Sequence, residues 1–181
     1  AALPTYGPEF IRIVSPTRRF MGDNPDAVYF FSRIRGDRSY RIRGVRTDEC
    51  YLSFTIHGRA EDGSLGPTGE PVLADVSDRG FKFGADGSYE IILSAEEPAT
   101  AGQSVDGTPI NWLQLPEGAA SILTRHYFEV DEPEPPAVTR GDRIQLKIAA
   151  IDDAPVRPPL SDAPFAARLR DVAAFVQGGK G

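Results

Sequence analysis

Apolar and polar residues alternate with a period of two over most of the chain, from residue 27 onward. Alternation of this kind places every second side chain on the same face of a β-strand. Gly and Pro, at 18 and 16 of 181 residues, interrupt the pattern and supply turns between short strands. The pattern predicts seven strands, over residues 27–35, 39–46, 50–58, 80–84, 88–94, 120–130 and 142–151.

One segment near the end of the chain has helical spacing instead. Residues 161–176 open with the capping residues Ser161 and Asp162, and Pro164 follows in the first turn. The apolar residues of this segment recur on one helical stripe: Phe165, Leu169, Val172 and Val176. Seven strands and one terminal helix predict an all-β fold, an antiparallel jelly-roll-like β-sandwich with one C-terminal helix.

The same pattern divides the chain into three parts. Residues 1–22 are Pro-rich and form an irregular N-terminal arm, residues 23–151 form the β-sandwich domain, and residues 152–181 form a linker and the C-terminal amphipathic helix. The apolar stripe of the helix needs a cover, so we expect it to pack on the sandwich or on a second copy. The chain begins AALPTYGPEF without Met, which we interpret as processing or as a fragment of a longer protein.

Strand parity predicts which side chains face the core. Ile34 belongs to the apolar set of the first strand, Tyr40 and Ile42 to that of the second, and Leu52 to that of the third. If these two strands form a hairpin, Ile34 lies opposite Tyr40. The opposite face then collects residues from the first two strands and, if it is the next neighbour, from the third: Tyr29, Phe31, Arg33, Arg35, Arg41, Arg43, Val45, Tyr51, Ser53, Thr55 and His57.

The arginines of this face are dense for a chain with a net charge of −6. In the predicted register Arg33 lies opposite Arg41, and like charges opposed across two strands destabilise a sheet. Three interpretations stay open. Acidic residues such as Asp48, Glu49 and Glu90 neutralise the face, or the face binds a carboxylate, a phosphate or an acidic partner, or it docks on another domain.

A second group of candidates lies in the strand at 120–130. The stretch RHYF places Arg125 and Tyr127 on one face and His126 and Phe128 on the other. An arginine in a central strand either forms a structural ion pair, here with Asp26, or takes part in binding. The candidate ligand-binding residues are therefore Arg33, Arg41, Arg43, His57, Arg125 and Tyr127.

Several ordered motifs give the chain a resemblance to a known family. NPDAVYFFSRIRGDRSYRIRG, YLSFTI, DGSYEIILS and NWLQLPEGAASILTRHYFEV resemble the domain-of-unknown-function family 1214, over roughly residues 20–150. The resemblance implies a jelly-roll sandwich of bacterial or viral origin, which in many members follows a second domain, and it implies no reaction. The family's Asn-Pro-Asp falls on Asn24, Pro25 and Asp26, and its Arg-x-Tyr-Phe on Arg125, Tyr127 and Phe128.

The residues that usually carry metal or redox chemistry are few. The two histidines, His57 and His126, are in no His-x-His or His-x-Asp pair, so a metal oxygenase site is not expected. Cys50 is the single cysteine, which excludes an intramolecular disulfide, and its parity predicts a buried, inert thiol. Asp75, Asp78 and Asp86 match no calcium-loop spacing. No metal and no cofactor are predicted.

Trp112 is the only tryptophan of the chain. Large aromatic residues beside a strand commonly anchor the core of a sandwich, so a core position is expected for Trp112. The alternative is an exposed platform for a carbohydrate.

Composition limits the remaining functions. With 20 basic and 26 acidic residues the chain does not have the charge of a nucleic-acid binder. No apolar run approaches the roughly 20 residues that span a membrane.

The first hypothesis is a soluble, non-catalytic module that binds a second domain, a homo-oligomer partner or a small anion through the arginine face. The alternative is a hydrolase- or isomerase-type domain with an Arg/Tyr/His/Asp pocket between the sheets. The compartment is not predicted.

Overall fold

The computed structural model describes residues 8–15, 24–59, 71–129 and 136–152, with a few single positions between 162 and 173. The described ranges contain ten strands and one short helix: β1 (Ile11–Arg12), β2 (Ala27–Arg33), β3 (Tyr40–Val45), β4 (Tyr51–His57), β5 (Val72–Ser77), β6 (Ser88–Ser94), β7 (Ser104–Val105), β8 (Thr108–Gln114), β9 (Ser121–Tyr127), α1 (Pro136–Thr139) and β10 (Gln145–Ala150).

The strands form two five-stranded sheets. The first has the order β1-β2-β9-β4-β5 and the second the order β10-β3-β6-β8-β7. The predicted all-β sandwich is confirmed. The expectation of a purely antiparallel arrangement is wrong, because β6 and β8 pair in parallel. The segment between them carries the chain back to the end where β6 began, so that β8 runs in the same direction.

One hydrophobic core lies between the two sheets. The apolar parity predicted for β3 and β4 is confirmed, since Tyr40, Ile42 and Leu52 are all 3% exposed or less. The core cluster takes side chains from both sheets and from the loops that join them: Ile34, Tyr40, Ile42, Leu52, Phe54, Ile56, Tyr89, Ile91, Leu93, Leu115, Ala119, Ile122 and Ile148.

The predicted hairpin between the first two strands is wrong. β2 pairs with β1 and β9 in the first sheet, whereas β3 pairs with β10 and β6 in the second. The segment between β2 and β3 therefore crosses from one sheet to the other. Ile34 and Tyr40 still face the same core because they approach it from opposite layers. Parity is the same in both arrangements, so it could not distinguish them.

The strand predicted over 80–84 is a loop. Phe81 and Phe83 pack against the core beside Tyr89. The side chain of Asn111 takes the place of a neighbouring strand. The amide N of Lys82 donates to Oδ1 of Asn111 at 2.7 Å, and Nδ2 of Asn111 donates to the Lys82 carbonyl at 3.0 Å. The strands that the pattern missed are β1, β5, β7 and β8.

The two ends of the chain are described only in part. Within the predicted arm, Ile11 and Arg12 pair with β2 and so belong to the first sheet. The predicted helix over 161–176 lies largely outside the described residues, as do Val172 and Val176. Phe165 and Leu169 are described, and they are 52% and 55% exposed. Within the described ranges no helix has the length and apolar character needed to cross a membrane.

Candidate binding site on the outer sheet faces

Arg41 and Arg43 lie on the outer face of the second sheet, where they meet a buried carboxylate. Nε of Arg41 donates to Oε1 of Glu90 at 2.9 Å, and Nε of Arg43 donates to Oε2 at 2.7 Å. The side chain of Glu90 is only 7% exposed, whereas that of Arg43 is 66% exposed. The interpretation in which Glu90 neutralises the arginines is confirmed for these two residues.

Of the other arginines nearby, one lies in the first sheet and three form ion pairs with carboxylates. Arg33 lies in β2, opposite Ser121 of β9. It is therefore in a different sheet from Arg41 and Arg43, and the prediction that all three share one face is wrong. Three further arginines bind carboxylates: Arg35 with Asp37, Arg38 with Asp152 and Arg46 with Asp78.

The outer face of the first sheet brings the second group of candidates together. β9 lies between β2 and β4, so that Arg125 has Tyr29 on one side and Ser53 on the other. One pair further along, Tyr127 lies opposite Tyr51. The prediction that Tyr29, Tyr51 and Ser53 share a face is confirmed, and so is the shared face of Arg125 and Tyr127.

These side chains surround an open depression of about 440 Å³. We call it the Arg125 depression, and its lining residues are Cys50, Tyr51, Ser53, Asp75, Arg125 and Tyr127. β5 contributes Asp75 because Asp75 pairs with Thr55 of β4. A depression on the outer face of a sheet is accessible to a ligand without any rearrangement of the core.

A chain of two hydrogen bonds crosses the floor of the depression. Nη1 of Arg125 donates to Oγ1 of Thr55 at 2.7 Å, and Oγ1 of Thr55 donates to Oδ1 of Asp75 at 2.7 Å. Among the described residues, Arg125 makes no other hydrogen bond and no salt bridge. The ion pair expected between Arg125 and Asp26 is therefore wrong.

Tyrosines form the sides of the depression. The rings of Tyr51 and Tyr127 pack edge to face with centroids 5.8 Å apart. Burial, together with a hydrogen bond to Tyr127, raises the pKa of Tyr29 to about 12. The phenol of Tyr29, which pairs with Arg125 across β2 and β9, is therefore protonated at neutral pH.

Cys50 and Trp112 do not lie in the core, where the sequence predicts them. Cys50 is exposed, not buried, because it precedes β4 and Glu49 occupies the neighbouring buried position. Trp112 is not a core residue. It lies on the outer face of the second sheet opposite Ile92, and its Nε1 donates to Oγ of Ser94 at 3.1 Å.

The two histidines lie on opposite faces of the first sheet. His57 belongs to the outer face, opposite Ser121, whereas His126 is buried against Leu52. They cannot bind one metal ion together. Within the described ranges no group of three or more His, Cys, Asp or Glu residues could hold a metal.

His126 takes part in a buried polar network. Its Nδ1 lies 3.1 Å from Oε1 of Glu49, and its Nε2 lies 3.1 Å from Oγ1 of Thr124. The amide N of Thr47 donates to Oε2 of Glu49 at 2.7 Å. Burial by itself raises the pKa of Glu49, but the hydrogen bonds from His126 and Thr47 outweigh it, and the net pKa is lowered. The network joins the segment before β4 to β9.

The location of these groups bears on the alternative enzyme hypothesis. That hypothesis places Arg, Tyr, His and Asp side chains in a pocket between the sheets. Arg125, Tyr127 and Asp75 line the outer depression instead, whereas His126 faces inward.

The motif Asn-Pro-Asp has a structural role at the start of β2. Oδ1 of Asn24 accepts a hydrogen bond from the amide N of Asp26 at 2.9 Å, and the Asn24 carbonyl accepts one from Ala27 at 3.1 Å. The Asp26 carbonyl accepts from the amide N of Phe128 at 3.0 Å. The turn thus fixes where β2 begins alongside β9.

Sequence reasoning missed Asp75 as a neighbour of Arg125. The strand that carries it reads VLADVS, and its apolar residues Val72 and Leu73 are exposed at the sheet edge. Only Ala74 and Val76 of this edge strand pack against the core, so its alternation signal is weak. Thr55 was already on the predicted face, so the pairing of β4 with β5 was the missing information.

Comparisons with known proteins place the fold but assign no activity. No family model and no curated protein matches the chain. A crystal structure of an uncharacterised protein from Burkholderia cenocepacia is similar, with a TM-score of 0.71 and 29% identity, over 96% of this chain and 42% of that one. A protein from Vibrio parahaemolyticus shows a TM-score of 0.41 and 20% identity, over 83% of this chain and 32% of that one.

The chain therefore spans less than half the length of either of these two proteins. In class it is a β-sandwich domain with an open depression on the outer face of one sheet. Its resemblance to family 1214 stays a prediction.

Proposed function

We propose that this domain is a non-catalytic binding module whose ligand is a small carboxylate, held at the Arg125 depression. The observation that supports the proposal is that the guanidinium of Arg125 is accessible and mostly unused in hydrogen bonding within the described residues. It lines an accessible depression and donates one hydrogen bond, to Thr55. Arg41 and Arg43, by contrast, already share the carboxylate of Glu90. The anion site is therefore proposed at Arg125 and Tyr127 and not at the arginine-dense strand.

The expected affinity follows from the chemistry of the guanidinium group. A planar guanidinium can hold a carboxylate through two parallel hydrogen bonds, each worth about 1.5–3 kcal/mol net. Ordering the ligand costs part of this gain, and the open depression leaves the pair partly solvated. We expect dissociation constants between about 1 µM and 1 mM, or roughly −8 to −4 kcal/mol.

The proposal predicts a carboxylate-specific stabilisation that depends on Arg125. Millimolar 4-methylpentanoate should raise the melting temperature more than chloride at equal ionic strength, because ligand binding to the folded state stabilises it. Arg125→Lys should lose most of this gain, since an ammonium group cannot form the planar fork. The measurement is a thermal unfolding series with both salts on the wild type and the variant.

Arg41→Lys is the matched control, because it makes the same change on the other sheet. It should keep the full carboxylate response. Equal shifts with carboxylate and chloride, or an Arg125→Lys variant that responds like the wild type, would refute the proposed function.

A partner domain is the second candidate. The Burkholderia protein is more than twice as long as the part that aligns with this chain, which supports a surface that contacts a further domain. A docking surface of this kind would not respond to small carboxylates. The thermal series therefore separates the two candidates.

The finer description of the fold is also a proposal. A jelly-roll-like arrangement is supported by the way β2, β3 and β4 alternate between the two sheets and by the order β2-β9-β4 in the first sheet. The parallel pair β6–β8 is a departure from it. A bacterial origin is supported by the Burkholderia neighbour.

A further inference from the structure

Arg125 and Asp75 carry opposite charges and line the same depression, yet they do not form a salt bridge with each other. The hydroxyl of Thr55 stands between them and accepts from Arg125 at 2.7 Å while it donates to Asp75 at 2.7 Å. Thr55 is 4% exposed, so its backbone and side chain are held firmly by the sheet. The Thr55 hydroxyl therefore bridges the two charged groups and keeps them from direct contact.

The direction of these hydrogen bonds fixes the polarity of the site. A guanidinium can only donate, so the Thr55 hydroxyl must accept from Arg125 and must give its own proton to Asp75. Thr55 has no further proton to donate. Arg125 keeps four of its five N–H donors, and Oδ2 of Asp75 accepts no hydrogen bond from the described residues. The depression thus presents donors at one end and an acceptor at the other.

An anion with a second negative charge fits this arrangement poorly. A phosphate or a dicarboxylate bound at Arg125 would place its second negative charge near Asp75, and like charges at short range repel. A ligand that carries a carboxylate and an adjacent donor would satisfy both ends. It would also bring no net charge, or only one negative charge, to a chain whose net charge is already −6.

The tyrosines add an apolar contact beside this polar floor. The Tyr51 and Tyr127 rings, packed edge to face, border the same depression, and Tyr51 is 36% exposed. Exposed aromatic rings bind aliphatic or aromatic groups through burial of apolar surface. A ligand with a hydrocarbon side chain would therefore gain contact area on this side.

We propose, on the basis of the proposed function, that the ligand class is α-amino or α-hydroxy carboxylic acids with an apolar side chain. The carboxylate binds the guanidinium of Arg125, the ammonium or hydroxyl group donates to Asp75, and the side chain lies against Tyr51 and Tyr127. Thr55 is a positioning residue that holds the two charged groups in place.

The test compares four probes that share the branched hydrocarbon chain of leucine, by calorimetric titration of the full chain. They are leucine, 2-hydroxy-4-methylpentanoate, 4-methylpentanoate and 3-methylbutylamine. We expect the first two to bind about tenfold more tightly than 4-methylpentanoate, a difference of about 1.4 kcal/mol. The amine alone should not bind measurably.

Asp75→Asn tests the role of the acceptor. Its amide oxygen can still accept from Thr55, and Asp75 is exposed on an edge strand, so the variant should fold. We expect it to lose the tenfold preference for leucine while it keeps the affinity for 4-methylpentanoate. Glu117→Gln, an exposed position in the loop before β9, makes the same charge change away from the depression and should keep the preference.

The outcomes separate the two proposals. If 4-methylpentanoate binds in an Arg125-dependent way but as tightly as leucine, the proposed function stands and the ligand class is overturned. The same holds if Asp75→Asn leaves the preference for leucine intact. If none of the carboxylates binds, or Arg125→Lys binds them all as the wild type does, the proposed function falls as well.

Discussion

Arg41 and Arg43 project from alternate positions of β3 onto the two oxygens of one buried carboxylate, that of Glu90. A sequence shows the density of arginines but not which carboxylate they will meet. Because Glu90 is largely withdrawn from solvent, it needs both guanidinium groups to offset its desolvation. The charge that makes this strand conspicuous is thus used within the fold. Arg125, by contrast, donates only to Thr55 among the described residues, and it lines the open depression.

Glu49 predicts an acid-sensitive component of stability. Its pKa is lowered in the folded state, so its carboxylate stabilises the fold above the ordinary value of 4.5, and this contribution is lost as the pH falls below that value. Glu49→Gln should lower the free energy of unfolding by about 1–3 kcal/mol at neutral pH, because hydrogen bonds to a buried charge are lost. The difference between wild type and variant should shrink toward about pH 3.

Denaturant unfolding of both proteins across this pH range measures the effect. Asp37→Asn is the control, because the hydrogen bond and charge of Arg35 lower the pKa of Asp37 at an exposed site, where solvent screens the interaction. It should change the acid response little. A constant difference between wild type and Glu49→Gln at all pH values would contradict the prediction.

At the level of elements, the loop at 80–84 is held by the side chain of Asn111 in β8 and not by pairing with a strand. The loop at 80–84 reads as a strand because Phe81 and Phe83 alternate with Lys82, and both phenylalanines do pack inward. Its backbone pairs with the amide group of Asn111 and not with a neighbouring strand. Alternation reports which side chains are buried, and a loop with the right spacing gives the same signal.

Asn111→Ala should therefore loosen this loop more than it changes the sheet. Two hydrogen bonds to the Lys82 backbone are lost, together with one to the Glu90 carbonyl, which should cost about 1–3 kcal/mol of unfolding free energy. Hydrogen exchange at the Lys82 amide should accelerate. Gln114→Ala, at an exposed position of the same strand, should leave that exchange rate unchanged. An unaltered rate in Asn111→Ala would show that the loop is held by its phenylalanines alone.

For the whole molecule, the apolar stripe predicted over residues 161–176 needs a surface to cover it. Phe165 and Leu169 are more than half exposed in the single chain, so they bury little surface on the sandwich. Phe165→Ser combined with Leu169→Ser should shift the melting temperature by no more than about 1–2 °C at low protein concentration. Leu52→Ala, a fully buried position, should lower it by several times as much.

Protein concentration tests the homo-oligomer partner in the same experiment. If the stripe packs on a second copy, the melting temperature of the wild type should rise with concentration and that of the double variant should not. A large fall in the double variant that is independent of concentration would contradict the exposed placement of these two residues.

Alternation along the chain predicts which residues share a face within β2, β3, β4 and β9, and for β2, β3 and β4 it also predicts which face is buried. Side-chain alternation is a local property of an extended backbone, so it survives whatever the strands pair with. For the same reason the shared face of Arg125 and Tyr127, and that of Tyr51 and Ser53, could be predicted. Turn chemistry determined where most strands end.

Which strands pair, and therefore which side chains meet on one sheet face, is established by the folded structure and not by alternation. Strand pairing depends on contacts between residues far apart in the chain, and several partners satisfy the same alternation. Arg41 reaches Glu90 across 49 positions, and Arg125 reaches Thr55 across 70. Because β2 pairs with β9 and not with the predicted β3, Arg125 lies beside Tyr29 and Arg41 lies in the other sheet. The physical reason is that a strand's parity is encoded in its own residues, whereas its neighbour is selected by the packing of the whole core.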